Sequence, residues 1–205
     1  MAHPAARLIR TSDDGLAVPV GRLAVRQGQP CSGVSMVTHG AFFESAVDEE
    51  GRVIGFDVLG PGDAIGGVVG THAIADVRAI RPSRLCEVSP ERVGWLLDGR
   101  RQRSAEFARQ LAWLDVCERV ALRLDDLAGR FGRPAPGGTV VRLPITQDDL
   151  AALCGTSRES VNRALGTLRR QGRVRSVGRG RFLVPGLHPV PDDPSCSRIK
   201  LQEPQ

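Results

Sequence analysis

The stretch Ile145-Thr-Gln-Asp-Asp-Leu-Ala-Ala-Leu-Cys-Gly-Thr-Ser-Arg-Glu-Ser-Val-Asn-Arg-Ala-Leu-Gly-Thr-Leu-Arg-Arg170 decides how the chain is read. Leu150, Ala151, Leu153, Cys154, Val161, Ala164, Leu165 and Leu168 recur at helical spacing, and Gly155 falls where two helices must turn sharply. Ala151 is small where the two helices cross. Thr146 is suited to cap the first helix, and Thr156 with Glu159 three residues later forms a capping box for the second. The opening turns of that second helix carry Arg158, Glu159 and Arg163, whose hydrogen-bonding groups match guanine and cytosine edges in a DNA major groove. A helix-turn-helix follows. A winged helix serving protein contact, or a helical hairpin without nucleic acid, is the bland alternative.

The charge that surrounds the motif opposes that alternative. From Ser157 to Val184 there are eight arginines and one acid, a local charge of +7 against +5 for the whole chain. The remainder is slightly acidic, so the positive charge is gathered where phosphates would be met. Val174 to Val184, with Gly178-Arg179-Gly180 inside it, reads as a β-hairpin wing.

The 205 residues, 41% hydrophobic and 25% charged, suit one large or two small soluble domains. No apolar run is long enough to span a membrane, and Met-Ala-His-Pro-Ala-Ala-Arg lacks a secretory apolar segment, so a cytosolic chain without membrane contact is expected. Cys31, Cys86, Cys117, Cys154 and Cys196 are odd in number and widely spaced, which fits reduced thiols rather than a disulfide frame.

Working back toward the N-terminus, short apolar runs separated by Gly and Pro are predicted strands: Val18 to Val25, Gly33 to Thr38, Ala41 to Val47, Val53 to Leu59, Ala75 to Ile80 and Arg84 to Val88. They predict an antiparallel β-roll or barrel. Pro90 opens a helix with Val93, Leu96 and Leu97 on its apolar face, and after Asp98-Gly99 a longer helical stretch runs to Leu114. Ser104, Phe107, Leu111 and Leu114 form a seam for a partner helix, or, alternatively, pack on the chain's own roll. Val116, Val120, Leu124 and Leu127 continue a helical face until Phe131 to Gly138 interrupts it, and Thr139 to Leu143 is a short strand. The tail after Pro185 is proline-rich and predicted to be disordered.

This order of elements resembles the bacterial Crp/Fnr family of transcription regulators over about residues 18 to 184. The similarity rests on Ile145 to Leu165, on Leu111-Ala-Trp-Leu-Asp-Val-Cys-Glu-Arg-Val-Ala as the hinge near Asp115, and on Gly40, Glu50-Gly-Arg and Leu59-Gly-Pro-Gly-Asp-Ala-Ile-Gly in the roll. It implies an α+β chain with residues 1–88 as a β-roll like a cyclic-nucleotide-binding jelly roll and residues 89–115 as a dimerisation helix. Residues 116–184 would be a winged helix-turn-helix, and residues 185–205 the tail. By that resemblance Arg158 and Arg163 donate to guanine and Glu159 accepts from cytosine. Ser157, Ser160 and Arg181 touch phosphates, and Phe107, Leu111 and Leu114 join two copies. The implied partners are double-stranded DNA, a second copy of the chain and RNA polymerase.

The departures bear on regulation. Gly67 stands where cyclic-nucleotide-binding members carry a ribose-binding glutamate, and Ala73 and Ile74 stand at the arginine and serine positions for the cyclic phosphate. A buried phosphate without cationic or N–H partners is strongly disfavoured, so cyclic nucleotides are not expected to bind, and no cofactor is assigned. Arg78 is the one substitute, with no assured inward direction. An iron-sulfur cluster needs clustered thiolates, which the cysteine spacing does not offer. A haem or metal would need His39, His72, Cys31 or Cys86 to converge; no metal is assigned. No nucleophile and base signature and no phosphate-binding glycine loop points to an enzyme. Ser89 to Asp115 is shorter than the family norm, which predicts a weak dimer without DNA. The alternatives are a regulator gated by an unidentified small molecule or haem, and an interaction module with a vestigial DNA-binding domain.

Overall fold

The computed structural model describes residues 10–11, 15–178 and 181–186. The tail from Leu187 onward, Arg179 and Gly180 of the wing, and Cys196 lie outside the described residues.

Two antiparallel sheets make the roll. One joins β1 (Arg10–Thr11), β2 (Gly15–Val18), β9 (Ser83–Glu87), β4 (Gly33–His39) and β7 (Ala64–Gly67) in that order. The other joins β3 (Leu23–Val25), β8 (Asp76–Ala79), β5 (Phe42–Val47) and β6 (Val53–Leu59). Period-two alternation sends Val18, Val37, Phe42, Leu59, Ile65, Val77, Ala79 and Leu85 from both sheets into one core. The predicted run from Val18 to Val25 is two strands. Pro19, which cannot donate to a ladder, ends β2, and the chain crosses to the other sheet before β3.

Helix α1 (Pro90–Trp113) is continuous, and Asp98-Gly99 does not divide it as the sequence suggested. The Asp98 carboxylate is engaged by Arg101 and Gln102 along the helix, so it does not compete for backbone N–H groups. A lone mid-helix glycine costs only about 1 kcal/mol. Val93, Leu96 and Leu97 seat the start of α1 on Val34, Met36 and Ala64 of the roll. Helix α2 (Val116–Phe131) begins where Leu114 turns extended and the Asp115 carboxylate accepts a bond from the Glu118 N–H at 2.9 Å.

The predicted break at Phe131 to Gly138 contains a strand instead. β10 (Gly132–Ala135) pairs with β11 (Gly138–Arg142), and then come α3 (Gln147–Leu153), α4 (Arg158–Arg170), β12 (Arg175–Ser176) and β13 (Arg181–Val184). The strand order β10-β11-β13-β12 leaves Pro134 on an edge, where its missing N–H is tolerated.

The roll and the C-terminal unit share a core. Ala41, Phe43, Val58 and Ile80 of the roll pack in one cluster with Leu124 and Leu127 of α2, Leu150 and Leu153 of α3, and Leu165 and Leu168 of α4. At Gly55 in β6 an added Cβ would stand 2.8 Å from the backbone nitrogen of Leu153, so the two units meet nearly backbone to backbone.

Candidate DNA-reading surface and the groups that position it

All eight apolar residues that define the motif are buried: Leu150, Ala151, Leu153, Cys154, Val161, Ala164, Leu165 and Leu168. The turn passes through Gly155 at φ +58°, a left-handed value that glycine adopts without penalty. Gly155 also lies against Leu111, whose Cδ2 would be 2.7 Å from a Cβ added there, so the end of α1 abuts the turn. Thr146 caps α3 in a full capping box with Asp149.

The cap of α4 departs from the sequence reading. Ser157, not Thr156, is the N-cap residue; its hydroxyl accepts from the Ser160 N–H at 3.3 Å, while the Thr156 N–H is bonded to the Ala151 carbonyl. The turn therefore absorbs Thr156, and the helix starts one residue later than expected. Ser157 and Ser160, expected at phosphates, sit together at that N-terminus, their hydroxyls 3.2 Å apart.

Arg158, Glu159 and Arg163 project from α4 into solvent. Arg158 reaches Asp148 at 3.3 Å, an exposed pair of little strength, and Arg163 donates to the Ser160 hydroxyl at 2.9 Å. The Glu159 carboxyl is held below its ordinary range by its own backbone N–H, by Ser157, and by the charges of Arg158 and Arg163. It is thus an ionised acceptor, the state a cytosine amino group requires. Asn162, one turn beyond Arg158 and adjacent to Arg163, is exposed on the same helix. The sequence reading passed over it, although its place in the helical repeat puts it beside those residues. Arg181 is exposed on the wing strand β13.

Phe107, Leu111 and Leu114 do not form one open seam. The Phe107 ring lies half-buried beneath the Arg123 guanidinium, 4.9 Å from it, in a cleft of about 400 Å³ between α1 and α2. Leu111 is 42% exposed, and Leu114 lies past the last turn of α1, where its carbonyl accepts from Arg119. Trp95 and Trp113, five helical turns apart, are the most exposed large apolar groups of α1, at 75% and 80%.

A buried ionic cluster fixes α1 and α2 against the roll. Glu44 and Asp57 are register partners on β5 and β6, both buried, an arrangement two carboxylates cannot sustain alone. Arg100 pairs with Glu44; Arg103 donates to Asp57 at 2.9 Å and to Asp63 at 2.7 Å; Arg130 donates to the same two acids at 3.0 and 2.7 Å. Arg123 bonds the Leu153 carbonyl at 3.2 Å, tying α2 to α3. Burial raises the Glu44 pKa, outweighing the pull of Arg100. For Arg130 burial acts downward, but Asp57, Asp63 and Asp126 together overcome it and raise its pKa.

The loop from 67 to 74 is the stretch in which the sequence leads one to expect no partners for a cyclic phosphate. A Cβ at Gly67 would lie 2.9 Å from the Cys31 sulfur, and Ile74 is 74% exposed. Arg78 turns away from the roll interior: Val77 and Ala79 point inward, whereas Arg78 stacks over Phe43 and reaches Asp149 of α3 at 3.5 Å. Cys31, Cys86, Cys117 and Cys154 are free thiols, and among the described residues no three His, Cys, Asp or Glu side chains stand where they could hold a metal. Among those residues no helix is long and apolar enough to cross a membrane.

The sequence matches the cyclic nucleotide-binding domain over residues 16–100 and the Crp-like helix-turn-helix domain over residues 118–187. The chain belongs to the Crp/Fnr family. Relatives in this family include a CRP-like cAMP-activated global transcriptional regulator of Mycobacterium tuberculosis, 28% identical over 179 residues that cover 78% of this chain and 80% of the relative. The regulatory protein CysR of Synechococcus elongatus is 26% identical over 195 residues, covering 89% of this chain and 91% of CysR. The crystal structure of a CRP/FNR-family transcriptional regulator from Thermus thermophilus superposes with a TM-score of 0.70 at 25% identity, covering 82% of this chain and 91% of that one. This Crp/Fnr chain is therefore a transcriptional regulator with a helix-turn-helix DNA-binding domain on an α+β frame.

Proposed function

We propose that the chain binds a pseudo-palindromic operator as a homodimer in the cytosol and does so without a cyclic nucleotide, with RNA polymerase as a further partner. The observation that carries the DNA reading is the exposed row on α4: Arg158, ionised Glu159 and Arg163 lie free of the core. In this reading Arg158 and Arg163 read guanine and Glu159 cytosine, while Ser157, Ser160 and Arg181 hold phosphates. Units 1–88, 89–115 and 116–184 act as roll, dimer helix and reader. Two copies join through α1 around Phe107, Leu111 and Leu114, with Trp113 beside them. Leu111→Glu is expected to weaken the dimer at least about tenfold, roughly 1.4 kcal/mol, by sedimentation. An unchanged dimer would move the contact off this end of α1.

Independence from cyclic nucleotide is supported by the filled roll interior and the outward turn of Arg78. Cyclic AMP and cyclic GMP should give no heat in titration calorimetry at micromolar to millimolar concentration. Binding of either would show that the loop rearranges to supply the missing anion partners. The likeness to a cAMP-activated relative favours a second reading, in which some other small molecule gates the roll. Ligand-stripped protein, tested on operator DNA selected from random sequence, separates the two. Full occupancy is expected without additive, because the shared core and the arginine cluster already hold the reader on the roll. A large gain in specific affinity from a small-molecule extract of the host would favour the gated form.

A further inference from the structure

Asn162 and Gly166 stand inside α4, where neither residue type favours a helix. Packing accounts for neither of them. Asn162 is exposed, and among the described residues no hydrogen bond engages its side chain, whereas Arg158 reaches Asp148 and Arg163 reaches the Ser160 hydroxyl. Gly166 has helical backbone, and a Cβ added to it would meet only the tip of the Arg170 side chain, at 3.7 Å. No turn and no neighbouring element of the chain therefore requires a glycine there. Val161, Ala164, Leu165 and Leu168 bury one side of α4. At about 3.6 residues per turn the opposite side carries Glu159, Asn162, Arg163 and Gly166, with Asn162 about 40° round the helix from Arg158 and about 60° from Glu159.

Among side chains that meet base edges, a carboxamide is the one matched to adenine: its amide nitrogen donates to N7 while its oxygen accepts from the N6 amino group. Its reach is short. An asparagine amide stands much closer to the backbone than a guanidinium does, so it meets a base only where the helix comes close to the floor of the groove. A glycine one turn further along the same side removes the side chain that would hold the helix away. We propose that Asn162 reads an adenine in each half-site and that Gly166 provides the clearance this contact needs. The inference rests on the DNA reading above and extends it to a base that Arg158, Glu159 and Arg163, matched to guanine and cytosine, do not specify. Asn162 lies about 6 Å along α4 from Arg158, and base pairs are stacked about 3.4 Å apart, so the adenine falls within about two base-pair steps of the guanine that Arg158 reads.

Selection from random DNA with the wild-type protein should enrich an adenine at that spacing, and Asn162→Ala should relax this position alone while the guanine and cytosine positions persist. In the selected operator, 7-deazaadenine at the same place exchanges the N7 acceptor for a C–H. By fluorescence anisotropy the exchange should weaken wild-type binding about tenfold and leave binding by Asn162→Ala unchanged, a coupling that a merely solvated asparagine would not give. Gly166→Leu should bind the operator about tenfold more weakly, yet unfold at no lower urea concentration than wild type, since leucine is the better helix former. Three results overturn the adenine contact while the DNA reading stands: guanine positions that depend on Arg158 and Arg163 with no adenine within that spacing, an unchanged motif and affinity in Asn162→Ala, or an equal penalty from 7-deazaadenine with and without the Asn162 amide. Wild-type affinity in Gly166→Leu overturns the part assigned to Gly166. Failure of the wild-type protein to enrich any motif overturns both this inference and the DNA reading.

Discussion

Asp57→Asn should lower the unfolding free energy by roughly 3 kcal/mol, the lower end of the cost of removing one partner from a buried ion-pair cluster. Asp57 accepts from Arg103 and Arg130 and is 8% exposed, so its loss leaves both guanidinium groups crowded on the single carboxylate of Asp63. Urea denaturation followed by circular dichroism reads the change as a lower midpoint with little change of slope. Because α1 and α2 both lose their hold on the roll, operator affinity should fall as well. An unfolding free energy within about 0.5 kcal/mol of wild type would mean that water or the remaining acids replace Asp57, and that the cluster does not position the reader. Replacing only the exposed partner of a surface pair, as in Asp148→Asn, should stay within that margin.

The second large effect concerns recognition. Arg158→Ala with Arg163→Ala should cost roughly 2 to 6 kcal/mol per half-site, each removing a bidentate contact of about 1 to 3 kcal/mol. Selection from random DNA with each single variant should show one relaxed base pair per half-site. Arg181→Ala should instead weaken all sequences alike and reduce the salt dependence. If the single α4 variants select the same motif at the same affinity, α4 does not lie in the major groove as proposed.

The helix-turn-helix is legible because its signals are local: helical spacing from Leu150 to Leu168, a glycine at the turn, and Thr146 three residues before Asp149. The cap of α4 falls one residue beyond its expected place because Thr156 and Ser157 are both competent N-caps. The turn makes the choice between them, using the Thr156 N–H for the Ala151 carbonyl. β10 is hidden in the sequence since Gly132 and Pro134 carry strand-breaking propensity, and only pairing with β11 overrides it. The ionic cluster does leave a trace there: Glu44 and Asp57 are single acids inside apolar strand runs, which forces a cationic partner from elsewhere in the chain. Which arginines answer them depends on how α1 and α2 cross the roll, a non-local fact. The expected seam at Phe107, Leu111 and Leu114 extends helical spacing through a residue, Leu114, at which the helix has already ended.

The near contact of Gly55 with Leu153, and the cluster that mixes Phe43 and Val58 with the reader's own leucines, bear on how such regulators can be recombined. In a chain of this kind the two halves are not interchangeable parts. A hybrid with an exchanged reader would bring an α3 not matched to the close approach at Gly55, and would lose Arg130, leaving Asp57 and Asp63 short of a counter-ion. Under the proposed reading, substitutions along the exposed face of α4 would alter specificity in this chain without disturbing the packing beneath it.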